Sequence, residues 1–124
     1  MEIVTSQAAP AAIGPYSHAI IQNGVVYTSG QIPLAPETGA MVDGGIREQA
    51  EQVISNLKAV LDAAGSDLAH VIKTTCFLTD MGNFSAFNEV YARHFTGKPA
   101  RSCVAALALP KGALVEIEAI AMIA

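Results

Sequence analysis

Two runs of β-branched and apolar residues flank Asn23-Gly24 in SHAIIQNGVVYTSG. A two-residue type I′ turn prefers this dipeptide because both central residues take positive φ. The pattern predicts a hairpin with Tyr16–Gln22 against Val25–Ser29. The prolines and glycines of GQIPLAPETGAMVDGG then read as a loop from Gly30 to Gly45. In IREQAEQVISNLKAVLDAAG the apolar positions Ile46, Ala50, Val53, Ile54, Leu57, Val60, Leu61 and Ala64 recur at the three-and-four spacing of one helical face. Gly65 is placed to end that helix. HVIKTTCFLTD is β-branched and aromatic and predicts a strand. NFSAFNEVYARHF predicts a second helix with Phe84, Phe87, Val90, Tyr91 and Phe95 on one side, capped by Asp80 or Asn83. ARSCVAALAL and ALVEIEAIAMIA close the chain as two strands broken by Pro110-Lys111-Gly112.

The order hairpin, helix, strand, helix, strand, strand describes one α+β domain over residues 1–124, with two helices on one face of a sheet. No repeat or domain boundary interrupts it. Both faces of the last predicted strand are mostly apolar, yet only one can lie under the helices. A neighbouring subunit is the economical cover for the other.

Composition sharpens that picture. The 124 residues are 52% hydrophobic and 15% charged, against ~25% charged in an ordinary soluble domain. A small domain has too much surface for its volume to hide such an excess alone, so self-association is expected. An alanine-rich chain with no interface is the competing reading. Eleven acidic residues against seven Lys and Arg give a net charge of −4. Without a basic run, nucleic acid is not an expected partner. No apolar run approaches the ~20 residues of a membrane span, and MEIVTSQAAP has neither the positive start nor the apolar stretch of a signal peptide. Cys76 and Cys103 lack metal-type spacing and are expected as reduced thiols in the cytoplasm. His18, His70 and His94 share no spacing, so no metal site is expected.

The candidate chemistry begins with a misfit. Arg101 stands in KPARSCVAALALPKG, where no further charge occurs before Lys111. A guanidinium cannot shed its proton and must find water, a carboxylate or an anionic ligand. Strand alternation puts Arg101 and Cys103 on one face and Ser102 and Val104 on the other. It groups Glu116 and Glu118 with Leu114, Ile120 and Met122, opposite Val115, Ile117 and Ala119. Arg101 therefore either forms a structural ion pair with Glu116 or Glu118, in the chain or across an interface, or grips a ligand carboxylate while a glutamate handles a water. Alternation alone leaves both open.

PARSCV and LPKGALVEIEAIA resemble the C-terminal signature of the RidA (YjgF) family. APAAIGPYSHAI, YTSGQIPLAPETG and FNEVY resemble three further blocks, in order, from about Ala8 to the end. Many relatives carry an acidic residue at Ala105 and a basic one at Ala108, which bears on interface detail more than on chemistry. The resemblance implies a chorismate-mutase-like α+β fold with a mixed sheet of about six strands. It implies a homotrimer around a central barrel with clefts between subunits. It also implies hydrolysis of 2-imino acids and their enamine tautomers, such as 2-iminobutanoate and 2-iminopropanoate, to 2-keto acids and ammonia, with no cofactor and no metal.

On that resemblance Arg101 is the anchor for the substrate carboxylate and Glu116 orients and deprotonates the attacking water. Tyr16 matches a cleft tyrosine of the family. From the residues themselves, Ser29 and Gly30 at the strand end, Asn88 as a polar amide beside the aromatic stripe and Cys103 through its backbone are expected to line the substrate site, and Glu118, on the face of Glu116, is expected to be structural. Each has a plainer alternative: Tyr16 as a packing aromatic, Ser29 and Gly30 as a strand end, Asn88 as a loop brace. Cys103 is expected to line the cleft rather than attack, since imine hydrolysis needs no covalent intermediate. The competing function is a trimer that binds small carboxylates without turnover. Chorismate mutase activity follows from fold analogy alone, and a dianion calls for more cations than one arginine.

Overall fold

The computed structural model describes residues 1–124. The chain forms β1 (Glu2–Val4), β2 (Ala19–Gln22), β3 (Val25–Thr28), α1 (Ile46–Ala63), β4 (Val71–Leu78), α2 (Phe84–His94), β5 (Ala100–Ala105) and β6 (Val115–Met122). Single 3-10 turns lie at Leu68–His70, Met81–Asn83 and Pro110–Gly112. One six-stranded sheet runs in the order β1-β2-β3-β6-β4-β5. Only β4 and β5 pair in parallel, because α2 between them carries the chain back across the sheet. This is the expected mixed α+β sheet with two helices.

Asn23 and Gly24 have φ of +51° and +76°, the two positive values of a type I′ turn. The hairpin ladder is shorter than its hydrophobic pattern. Ser29 N–H still donates to His18 O at 2.9 Å, but at the next rung the Ser29 hydroxyl takes Ser17 O instead. In α1, Ala50, Val53, Ile54, Leu57, Val60 and Leu61 are buried, and Gly65 follows the helix with φ +79°. In α2, Phe87, Val90 and Tyr91 point inward, whereas Phe84 is only partly buried. Asn83 makes no capping bond. Asp80 instead accepts from Gly82 N–H at 2.8 Å and caps the short turn before α2.

Two boundaries differ from the pattern. β1 gives little sequence signal because it is three residues long and pairs only with β2. β5 stops at Ala105 rather than running to Leu109. Its neighbour β4 ends at Leu78, whose carbonyl accepts Ala106 N–H, and no ladder remains beyond it. Leu107 is consequently fully exposed.

The helices cover one face of the sheet. Val115, Ile117, Ala119 and Ala121 of β6 are buried beneath them, while Glu116, Glu118 and Ile120 sit half-buried on the other face. Tyr27, Val104 and Met122 are each about half exposed, and no element of the chain covers them. No helix is long and apolar enough to cross a membrane.

α1 also buries two amides, Gln49 and Asn56. Gln49 Oε1 accepts Leu114 N–H at 2.8 Å, just before β6. Asn56 Nδ2 donates to Ile32 O at 3.1 Å and Leu34 O at 2.9 Å. The Asn56 bonds pin the segment after β3 to the helix, and the Gln49 bond does the same for the entry to β6. Asn56→Ala is expected to leave two inward-facing carbonyls without their donor and to lower stability by about 2 kcal/mol, read as a lower urea midpoint with an unchanged slope.

Candidate active site

The residues singled out in the sequence fall into two groups. Across the ladder, Arg101 pairs with Thr74 and Thr74 with Ala119, whereas Glu116 pairs with Phe77. Thr74 and Ala119 are buried on the helix side, so Arg101 points to that side and Glu116 to the open face. Two strand spacings and a three-residue offset put their Cα atoms about 14 Å apart. Within one chain, then, Arg101 and Glu116 do not meet. Arg101 enters no ion pair within the chain.

The arginine group lies between β5 and α2. Arg101 is half-buried, and its Nη1 donates to Asn88 Oδ1 at 2.8 Å. Its Cζ sits 4.8 Å from the Tyr91 ring centre and 5.5 Å from that of Phe84, within cation–π range. The cleft here holds about 530 Å³ and is lined by Asn88, Tyr91, Phe95, Lys98 and Arg101 among others. Asn88 lines this cleft with its carbonyl committed to Arg101. The Cys103 side chain leans on the core and lines neither this cleft nor the Glu116 cavity. Burial pushes its thiol above the usual range, against the pull of Arg101, which makes it a poor nucleophile. What Cys103 can offer a ligand is backbone, on the last strand of the sheet.

The glutamate group lies on the open face. A cavity of about 420 Å³ is lined by Tyr16, Ser29, Gly30, Ile32, Pro110, Glu116 and Glu118. Between the Tyr27–Ile120 pair and the bridge of Gln31 to Ile117, the β3 side holds one extra residue. Such a bulge re-aims the chain. Thr28 Oγ1 accepts Ala119 N–H at 3.0 Å beside it, and Gly30 comes to lie against Glu116. A Cβ on Gly30 would fall 2.0 Å from Glu116 Oε2, so only glycine lets the carboxylate occupy this position. Burial, and secondarily the charge of Glu118, raises the Glu116 pKa above the usual carboxylate range. Glu118 forms no ion pair within the chain and shares the cavity, so a structural salt bridge for it is absent from the protomer. Tyr16 is half exposed, and its hydroxyl has no partner in the chain. The Ser29 hydroxyl donates to Ser17 O at 2.5 Å and braces the cavity wall.

His18, which the sequence pattern passed over, is a node of this wall. It is buried; its Nδ1 accepts Ser6 N–H at 2.9 Å and its Nε2–H donates to Pro10 O at 2.8 Å. The ring is thus fixed as the neutral Nε2–H tautomer. Gln49 and Asn56 were missed too, although a signal existed: with Val53 and Val60 they follow the three-and-four spacing of the buried stripe of α1. No three His, Cys, Asp or Glu side chains converge as a metal site would require.

Gly30→Ala is expected to push the Glu116 carboxylate out of its present position and so to lower any turnover that depends on it by about 100-fold, with the fold retained by circular dichroism. Wild-type turnover in this variant would show that the Glu116 position is irrelevant.

Residues 6–123 match the family model described as Endoribonuclease L-PSP. Protein DfrA of Myxococcus xanthus is 54% identical over 122 residues, covering 96% of this chain and 93% of that protein. The 2-iminobutanoate/2-iminopropanoate deaminase of Mus musculus is 47% identical over 122 residues, covering 98% and 90%. The crystal structure of RidA from the Antarctic bacterium Psychrobacter sp. superposes with a TM-score of 0.95 at 43% identity, over 99% of this chain and 100% of that one.

Proposed function

The chain belongs to the RidA (YjgF) family, whose model carries the Endoribonuclease L-PSP description, and on that footing we propose that it is a hydrolytic deaminase of 2-imino acids. The substrate is a small carboxylate with an electrophilic C=N carbon, 2-iminobutanoate or 2-iminopropanoate or an enamine tautomer. The products are the 2-keto acid and ammonia. The single observation that carries this reading is Arg101. Arg47 and Arg93 each pair with a glutamate on the surface, while Arg101 alone among the arginines stands over aromatic rings with no carboxylate of its own chain beside it. That is the environment of an anchor for an anion.

Glu116 supplies the other half of the chemistry. Its carboxylate accepts a proton from a water whose oxygen attacks the imine carbon. The C=N pair moves to nitrogen, and the tetrahedral carbinolamine then collapses. Glu116 first returns the proton to that nitrogen, giving the neutral carbinolamine, and on collapse relays the hydroxyl proton to the same nitrogen, which leaves as ammonia while the C=O forms. A carboxyl pushed above its usual range serves both transfers better at neutral pH than an ordinary one. No cofactor enters this scheme. Free imines hydrolyse unaided, so positioning a water and fixing the carboxylate suffice.

Because Arg101 and Glu116 open on opposite faces of one sheet, the active cleft is built between copies, the Arg101 group of one facing the Tyr16, Gly30 and Glu116 group of the next. Three such clefts make a homotrimer whose open sheet faces meet around a central barrel. The half-exposed Tyr27, Val104 and Met122 support that closure. The free thiols of Cys76 and Cys103 fit the cytoplasm. RNA as a substrate has no footprint in a chain of net charge −4. A carboxylate-binding trimer without turnover has a use for Arg101 but none for Glu116, which separates the two readings.

The test is competition for an imine. 2-Iminobutanoate is generated from threonine by a dehydratase in the presence of semicarbazide, and catalytic amounts of the protein are added. Trapping is expected to fall. Unchanged trapping across several 2-imino acids would reject the deaminase reading and leave the binding one.

A further inference from the structure

Arg101 is held by contacts that carry no formal charge, and the hold is elaborate. One of its five N–H donors goes to a neutral amide oxygen, Asn88 Oδ1 at 2.8 Å. Its plane lies near the faces of Tyr91 and Phe84. The Tyr91 ring is itself immobilised. It stacks on Phe95 with centres 4.3 Å apart and planes 21° from parallel, and its hydroxyl meets Thr74 Oγ1 at 2.7 Å in a buried bond. Thr74 stands on the same rung of the ladder as Arg101, so the strand that neighbours the arginine also pegs the ring beneath it. Elsewhere on the same two helices the opposite solution is used. Arg93 of α2 meets Glu51 of α1, and Arg47 of α1 meets Glu89 of α2. Asn88 sits beside Glu89, so a carboxylate lies one residue away in the sequence but turns to solvent.

We propose that Asn88 and the Tyr91 ring form an uncharged cradle that aims Arg101 and keeps its charge available for an anionic ligand, with the neutrality of Asn88 setting the selectivity of the cleft for carboxylates. Asn88 is thus a positioning residue acting through Arg101. A carboxylate at this point would satisfy Arg101 internally, and a ligand would have to displace it. The inference rests on the anchor role of Arg101 proposed above.

Asn88→Asp keeps the shape and an acceptor oxygen for Arg101 while exchanging the amide NH2 for a charged oxygen at a half-buried site, whereas Asn88→Ala removes the brace without adding charge. Binding of 2-oxobutanoate, followed by calorimetry, and the KM and kcat for 2-iminobutanoate are measured on the intact oligomer. Asn88→Asp is expected to weaken binding and raise KM by at least about tenfold, with kcat within about threefold of wild type and an unchanged or higher melting temperature. Asn88→Ala is expected to shift KM by only about threefold. Should Asn88→Asp fail to fold, the ring gives the second reading. Tyr91→Phe keeps the aromatic face and is expected to hold affinity within about threefold, while Tyr91→Leu removes it and is expected to lose about tenfold. Wild-type binding by Asn88→Asp, a larger loss in Asn88→Ala than in Asn88→Asp, or equal affinities for Tyr91→Phe and Tyr91→Leu would overturn the cradle. Arg101→Ala separates the two levels. If Arg101→Ala loses binding and Asn88→Asp does not, the cradle alone falls; if Arg101→Ala binds and turns over normally, the anchor falls and the cradle with it.

Discussion

Exchanging Glu116 for glutamine is expected to lower kcat on 2-iminobutanoate by roughly a thousandfold, the middle to upper range for a general base. The same variant is expected to bind 2-oxobutanoate within about threefold of wild type, because the amide keeps the shape of the carboxylate and loses only its basicity. Gly30 leaves room for the side chain in its present position, and glutamine fits the same space. The pH profile carries a second expectation. Burial and Glu118 raise the Glu116 pKa, and the base works only when ionised. The acid limb of kcat/KM is therefore expected above the ~4.3 of an ordinary glutamate. Glu118→Gln removes a like charge, so the carboxylate ionises more readily and the limb is expected to move to lower pH. An Glu116→Gln variant with wild-type kcat would remove the base from the scheme. A limb that Glu118→Gln moves upward would remove its electrostatic cause.

Arg101→Ala is expected to act at the other end of the substrate. Losing a bidentate grip on a carboxylate takes away a charge-assisted interaction whose truncation ordinarily has an effect of 2–5 kcal/mol, so kcat/KM is expected to fall by about a thousandfold. Most of the change is expected in KM. Arg101→Lys is expected to recover only part of the loss, because a point charge on a flexible stem does not reproduce the planar fork. The stability of the protomer should change little: Arg101 has no ion pair within its chain to lose, and the cation–π contacts it makes at a half-buried site are each worth about 1 kcal/mol. Steady-state kinetics with a thermal melt of the same samples separates the two effects, and an unchanged kcat/KM would remove the anchor.

Much of this arrangement is legible in the chain. The Asn23-Gly24 turn, the apolar stripe of α1 and the period-two pattern of β6 each declare their element, because hydrophobic periodicity and turn chemistry are local signals. Strand alternation also tells correctly which face Arg101 and Glu116 take on their own strands. It cannot tell that the two faces are opposite ones. That relation depends on the register of β4 between β5 and β6, which sets Thr74 against both Arg101 and Ala119. The ion pair between Arg101 and a glutamate was a fair expectation for adjacent charged strands and fails within the chain for this reason. β1 is too short to show a period, and β5 ends where β4 runs out, a limit set by its neighbour rather than by its own residues. Asn88 was readable as a polar group beside an aromatic stripe, but its partner was not. The Oδ1 contact to Arg101 joins a helix to a strand across the 13 positions that separate them. The clearest unread signal was the pair of amides in the buried stripe of α1: Asn56 holds the segment that follows Gly30 and Gln49 the entry to β6.

The most direct test of a cleft shared between copies is subunit complementation. Arg101→Ala and Glu116→Gln chains are co-expressed with different tags, and trimers containing both are purified and assayed for 2-iminobutanoate hydrolysis. In a closed ring of three, any mixed trimer contains one cleft with Arg101 from one chain and Glu116 from the next. Mixed trimers are therefore expected to recover about one third of wild-type activity while each parent stays inactive. Mixed trimers as inactive as their parents would contradict a cleft that draws Arg101 and Glu116 from different subunits.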